Sequence, residues 1–327
     1  MREESEPDLL LSSSTSCWII TDGKAGTENQ CLGVAEALGI DVLVKRIALR
    51  FPFSCLPPNI RLGKCWAAGP KGDALAPPWP DLVIASGRAS ILPALHVKAV
   101  SGAFLVQLQG PRISLRHFDL VAVPRHDRLR GENVVVTYGA PNRITQAMLD
   151  EAGARFAGRF AHLPDQKVAA LIGGDSKAYR FDEKTARKLA DDLRILAKGG
   201  RGVMVTVSRR TPGSIRAILA EALDHPNVFL WDGTGDNPYF GMLALAEALV
   251  VTCDSVSMIS EAGTTGKPVH VVSLPGGTAK FTRFHANMEN DGVTRPFTGK
   301  IESWSHAPLR DAETIARAIA KRLNSVS

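Results

Sequence analysis

One stretch restricts the fold more than any other: Leu249 to Ser273, LVVTCDSVSMISEAGTTGKPVHVVS. An apolar run, Leu249 to Val251, meets Thr252-Cys253-Asp254-Ser255. A short amphipathic segment follows, Gly266 and Pro268 stop it, and Val269 to Val272 begins a second apolar run. This is the pattern of strand, turn, helix and strand. A helical crossover makes the two strands parallel, so the turn after the first lies at the carboxyl edge of the sheet, where open α/β folds bind ligands. Ser255 and Ser257 can each cap the helix, and its free N–H groups suit a phosphate. Glu261 falls outside a capping box, because Met258 is the third residue after Ser255. A carboxylate one turn inside the helix can take both hydroxyls of a ribose whose phosphates rest on Ser255, Val256, Ser257 and Met258. The plainer alternative is a capped helix with a solvated glutamate.

The 327 residues, 45% hydrophobic and 22% charged, supply two cores of ordinary size. No apolar run approaches the roughly 20 residues of a membrane span, and the acidic opening MREESEPDLLLSSSTS is too short in its apolar part for a signal peptide. A cytoplasmic protein is expected, with peripheral attachment to an anionic membrane surface as an option. The 5 cysteines are unevenly spaced and include no Cys-x-x-Cys, which speaks against a disulfide framework or a zinc site. A net charge of +6 favours anionic partners, but no aromatic stacking series or long basic run points to nucleic acid.

Read in order, residues 1–15 form a flexible tail, 16–163 an N-terminal Rossmann-like domain, 164–305 a C-terminal one, and 306–327 a final helical segment that can pack back towards the first domain. In the first half, Cys17 to Ile20 reads as a strand, Thr21 to Thr27 as a glycine-bearing turn and Glu28 to Leu38 as a helix. Phe51 to Pro80 is rich in Pro and Gly. It interleaves Phe51, Phe53, Leu56, Ile60, Leu62 and Trp66 with Arg50, Arg61 and Lys64, as an irregular loop over the domain or a patch facing a membrane or lipid. Arg112 to Arg130 is a basic rim, either solvated or phosphate-binding, and the helical stretch from Ile144 through Phe160 closes this half. The second half repeats the plan. It has strands at Lys167–Ile172, Gly202–Val207 and Val228–Trp231, a helix capped at Asp182, and a helix from Met242 to Ala248 before the opening stretch.

Four consecutive strand ends in this half carry Gly173-Gly174-Asp175-Ser176, Ser208-Arg209-Arg210-Thr211, Asp232 through Asn237, and Thr252 through Ser257. In a parallel sheet they line one rim. The glycines allow close backbone approach to an anion, Arg209 or Arg210 can neutralise it, and the helix start supplies N–H donors. The set describes a pyrophosphate cradle with Glu261 as ribose clamp, as a group transferase needs to stabilise a departing diphosphate. Other chemistries lack their motifs. Gly266-Lys267 is followed by Pro268, which is no P-loop, and no tyrosine precedes a lysine by four positions. No Asp-x-Asp or Gly-x-Ser-x-Gly occurs, and the 8 histidines show no pair at ligand spacing, so no metal is expected.

The segments ITDGKAGTENQCLGVAEALG, ALIGGDSKAYRF, TVSRRT and TCDSVSMISEA resemble the mitochondrial-fission ELM family, grouped with glycosyltransferases. The region from Leu230 to Val272 also resembles the nucleotide-binding part of the peptidoglycan and lipid A disaccharide synthases. The resemblance implies an α/β fold of the GT-B type, two doubly wound Rossmann-like domains facing a cleft. It also implies a nucleotide-sugar donor held by the C-terminal half as substrate, with no cofactor and no metal. By position, Glu261 matches the acid on the donor ribose, and Ser255 to Met258, after Asp254, match the diphosphate-binding helix start. Gly173, Gly174 and Ser176 match the glycine turn, with Ser208, Arg209 and Arg210 beside it. The sequence departs from the pattern at Asp175 and at Thr264-Thr265.

A metal-independent glycosyltransferase acting on an unidentified, membrane-associated or lipid-linked acceptor is therefore expected. A GT-B shell serving as an adaptor at a membrane surface and a nucleotide-sugar 2-epimerase are the alternatives. The catalytic base is sought in the first half, at Asp22 foremost and then at Asp127 and His126. A turn-forming aspartate ahead of Gly23 is the plain alternative for Asp22.

Overall fold

The computed structural model describes residues 11, 15–53, 55 and 68–325. Leu56, Ile60, Leu62, Trp66, Arg61 and Lys64 of the proline-rich segment, and most of residues 1–15, lie outside the described residues. The chain forms two units, residues 1–143 with 310–327 and residues 144–309.

In the first unit, β1 (Cys17–Thr21), α1 (Ala25–Leu38), β2 (Val42–Arg46), β3 (Leu82–Ser86), α2 (Ile91–Ser101), β4 (Phe104–Leu108), β5 (Leu120–Pro124) and β6 (Val134–Thr137) follow one another. They give a six-stranded sheet in the order β2-β1-β3-β4-β5-β6 whose recorded pairings are parallel. The strands β1, β3 and β5 are buried along their whole length, as expected of near-continuous apolar runs covered on both faces. Gly39 ends α1 in the left-handed conformation, with φ 69°, where a side chain would be strained. The described part of the 51–80 loop lies over this domain: Leu75 and Trp79 pack on the core, and the Trp79 ring centroid is 5.7 Å from that of Trp18. Phe51 is exposed.

The second unit runs α3 (Gln146–Phe156), β7 (Lys167–Ile172), α4 (Glu183–Lys198), β8 (Gly202–Val207), α5 (Gly213–Ala222), β9 (Val228–Leu230), α6 (Tyr239–Leu245), β10 (Ala248–Thr252), α7 (Val256–Thr264), β11 (Val269–Val272), α8 (Ala279–Asn290) and β12 (Thr294–Pro296). The last helix, α9 (Asp311–Leu323), belongs to the first unit, where Ile315 and Ile319 are buried in one core with Cys31, Val34 and Leu38 of α1. The second sheet has the order β12-β11-β10-β7-β8-β9, with parallel pairings. Asp182 caps α4 as its sequence suggests, accepting from the Thr185 N–H at 2.8 Å.

Several expectations need correction. The division falls after Arg143, not after residue 163, because α3 packs on α6: a methyl group added at Gly241 would lie 2.6 Å from the Phe156 Cβ. The final segment divides after Leu309, a buried residue whose N–H bonds the Gly263 carbonyl at 3.1 Å. The helix expected over Met242 to Ala248 starts at Tyr239 and ends at Leu245, because Ala248 already pairs with Val168 in the sheet. The strand β12, only three residues long and ending in Pro296, carries no periodic signal.

Candidate functional site

The chain leaves β7 to build β8 and β9 on one side, then returns to lay β10 on the other. The order therefore reverses between β7 and β10, and in open α/β sheets ligands bind outside the carboxyl ends at such a point. The four turns singled out in the sequence follow β7, β8, β9 and β10, which are neighbours in the sheet, and they lie on one edge.

The Gly173 N–H donates to Thr252 Oγ1 at 2.7 Å, and the Gly174 N–H donates to Asp254 Oδ2 at 3.1 Å. Thr252 Oγ1 in turn lies 2.7 Å from Asp254 Oδ1, and Arg210 Nη2 lies 2.7 Å from Asp254 Oδ2. The Asp254 side chain has no exposed surface. A Cβ on Gly173 would sit 2.2 Å from Asp254 Oδ1, so glycine is required there by the approach of this carboxylate. The anion that the glycine turn grips is the protein's own. Arg210 is correspondingly committed to Asp254, while Arg209 beside it is exposed. Ser208 Oγ accepts from the Arg210 N–H at 3.1 Å, and Ser176 Oγ accepts from the Tyr179 N–H at 3.0 Å, so both hydroxyls hold their own turns.

Ser255 is the cap of α7, its Oγ accepting from the Met258 N–H at 3.3 Å. Ser257 is inside the first turn. With the Met258 N–H satisfied, the Val256 and Ser257 N–H groups have no partner within the helix and stand at its positive end. Glu261, half-buried in the second turn, accepts through Oε2 from the Tyr239 hydroxyl. Burial raises its carboxyl to about 7, against a smaller opposing effect of that hydrogen bond. Tyr239 was not foreseen, and nothing in its local pattern ties it to a glutamate in another helix.

At the foot of the same edge, beyond β10, a cavity of about 380 Å³ is lined by Tyr179, Cys253, Thr282, His285, Glu289 and Arg295, among others. His285 Nε2 lies 3.0 Å from the Cys253 carbonyl and therefore donates its proton there; buried Nδ1 has no partner. Burial holds this imidazole below its ordinary pKa, in the neutral form.

In the first unit, Asp22 follows β1 while His126 and Asp127 follow β5, and β3 and β4 intervene, so the three candidate bases do not form one cluster. Burial alone would raise the Asp22 carboxyl. The hydrogen bond and charge of Lys24, with the Thr27 hydroxyl, outweigh burial and hold it below its ordinary value. His126 is buried, with Nε2 3.5 Å from Asp127 Oδ1. Of the basic rim, Arg112, Arg116, Arg128 and Arg130 are exposed, and Arg125 lies over the Tyr138 ring.

Two doubly wound parallel sheets in one chain are the architecture of GT-B proteins, and solved structures of that class superpose on this one. UDP-GlcNAc 2-epimerase from Methanocaldococcus jannaschii does so with a TM-score of 0.59 at 13% identity, over 95% of this chain and 100% of its own. In its complex with UDP-GlcNAc and UDP the TM-score is 0.52. MurG from Acinetobacter baumannii gives 0.50 at 14% identity, over 94% and 95% of the two chains. At such identities the likeness establishes the fold. The chain belongs to the family described as mitochondrial fission ELM1, whose model matches residues 25–323. A relative, mitochondrial fission protein ELM1 of Arabidopsis thaliana, is 32% identical over 93% of this chain and 90% of its own length. The description names a cellular process and no reaction.

Proposed function

We propose that this protein is a glycosyltransferase of the GT-B type whose second unit binds a nucleoside diphosphate sugar along the edge between β7 and β10. One observation carries the reading. At the reversal point of the strand order, the start of α7 leaves the Val256 and Ser257 N–H groups without a partner in the helix, and one turn further in lies a half-buried carboxylate, Glu261, whose burial raises it to about 7. In this reading the diphosphate rests on Val256 and Ser257, and Glu261 takes the ribose hydroxyls. The sugar enters the cavity beside Cys253, whose size is within the roughly 300 to 1,000 Å³ of small-molecule pockets. The GT-B relatives solved with UDP and UDP-GlcNAc support the ligand class. Asp22 is the proposed base, and it accepts a proton only once Lys24 has moved from it. The acceptor is proposed to be anionic, held by Arg112, Arg116, Arg128 and Arg130, in keeping with a lipid-linked substrate at a membrane surface. A thermal-shift screen of UDP, ADP, GDP and TDP tests the reading, since a ligand binding only the folded state raises its melting temperature.

A second reading, a nucleotide-sugar 2-epimerase, is favoured by the neutral His285 and by Glu289 at the cavity, where an epimerase needs proton-transfer groups. Incubation with donor alone separates the two, because an epimerase converts the sugar without an acceptor.

A further inference from the structure

The Tyr239–Glu261 contact joins α6 to α7. Tyr239 opens α6 just after the β9 turn, and its N–H is held by Asn237 Oδ1 at 3.1 Å. Its ring packs against the core beneath β7 and β10 and meets Phe240 edge-on, with centroids 5.6 Å apart. The phenol is thus fixed at both ends, by its backbone and by its hydroxyl. That hydroxyl donates to Oε2 of Glu261. A glutamate carboxylate has two oxygens and about four lone-pair sites, so the bond to Tyr239 fixes its plane and leaves the other oxygen free.

We propose that Tyr239 is the positioning residue of the nucleotide site: its hydroxyl orients the Glu261 carboxylate so that the remaining oxygen meets the ribose hydroxyls, and nucleotide affinity therefore depends on pH through this pair. The proposal rests on the assignment of Glu261 to the ribose. A protonated Glu261 presents a donor where a ribose diol needs an acceptor, so the ionised form is the competent one. Burial makes that form costly, which raises the carboxyl to about 7, and the phenol hydrogen bond offsets part of the cost. Among the described residues Tyr239 is the titratable side chain acting on this carboxyl. The hydroxyls of Ser257 and Ser260 on α7 do not titrate in this range. Lys267, the next cation along the chain, bonds the Leu243 and Ala244 carbonyls at 2.8 and 2.6 Å, and burial lowers its own pKa to about 8.

The test is calorimetric titration of UDP-GlcNAc, whose diester phosphates do not ionise between pH 6 and 9, into the full chain, Tyr239→Phe and Glu261→Gln. In the parent protein the affinity at pH 8 exceeds that at pH 6 by about tenfold, the ratio of ionised fractions about a midpoint near 7. In Tyr239→Phe the midpoint moves upward, so affinity is lost chiefly at pH 6 to 7 and recovers towards pH 9. In Glu261→Gln the profile is flat, which also separates this pair from the titration of Lys267. A parent profile without pH dependence, or a Tyr239→Phe profile that is uniformly weaker with the same midpoint, overturns the positioning role while leaving nucleotide binding intact. If Tyr239→Phe does not fold, 3-fluorotyrosine at position 239 takes its place: its stronger hydroxyl donor lowers the midpoint, and an unchanged midpoint overturns the positioning role. Absence of UDP-GlcNAc binding at every pH overturns the nucleotide reading itself, and the positioning role with it.

Discussion

Arg210 and Asp254 form an ion pair at 2.7 Å across the ends of β8 and β10, with the carboxylate wholly enclosed and the guanidinium half exposed. The pair ties the turns after β7, β8 and β10 together, because Arg210 Nη1 also bonds the Gly174 and Asp175 carbonyls at 3.4 and 3.3 Å. Removing one partner of such a pair costs more than the pair itself contributes, since the other charge is left buried.

Arg210→Ala is accordingly expected to destabilise the second unit by about 2–3 kcal/mol, somewhat below the range for fully buried pairs because the arginine is partly solvated. Urea denaturation measures it, and a double-mutant cycle with Asp254→Ala should return a coupling of at least about 1 kcal/mol. Additive losses would show that the contact is incidental.

Gly173→Ala and Gly213→Ala make a matched pair. The first places a methyl group 2.2 Å from Asp254 Oδ1; the second places one where nothing lies within 4 Å, at the start of α5. Gly173→Ala should cost about 2 kcal/mol or more as the turn is forced open, whereas Gly213→Ala should be neutral or stabilising by up to about 1 kcal/mol. Equal melting temperatures for the two would contradict the packing described.

Much of this architecture is legible in the sequence because the central strands are apolar on both faces and β1, β3, β7, β8 and β10 each run into Gly, Ser, Asp or Thr. The turn of Thr252 to Ser255 and its capped helix follow from local chemistry alone, as does the cap at Asp182. The position of α3 is not local. Its buried Phe156 reads the same whether it closes the first unit or packs on Gly241 in the second. The inward turn of Asp254 is equally hidden, since an aspartate after a strand looks like a ligand residue until its hydrogen-bond partners are known. Glu261 was readable as an unexplained acid, but its partner Tyr239 lies in a separate helix that β10 places beside it.

Glu261→Gln should raise stability in a pH-dependent way. The folded carboxyl titrates near 7 against an ordinary 4.5, so the folded state retains a proton that the unfolded chain has released. Native stability therefore falls as pH rises from about 4.5 to about 7, and the whole penalty is present above 7. The glutamine variant escapes it and should gain about 2 kcal/mol relative to the parent at pH 8 and almost nothing at pH 4, after discounting for partial exposure. Denaturation midpoints at the two pH values check this, and a gain that is equal at both would contradict the burial of the charge.

Asp22→Asn should lower turnover by a factor of about 100 or more, the usual contribution of a general base, and leave UDP affinity unchanged. Steady-state rates of donor consumption measure it. Unchanged turnover assigns Asp22 to the turn alone.

The most direct measurement is a calorimetric titration of UDP into the intact chain and into Glu261→Gln at pH 8. Binding by the parent with micromolar or tighter affinity, weakened about tenfold or more in the variant through lost ribose hydrogen bonds, is the predicted result. Equal affinity in the two proteins, or no heat from either, would contradict a nucleoside diphosphate site between β7 and β10.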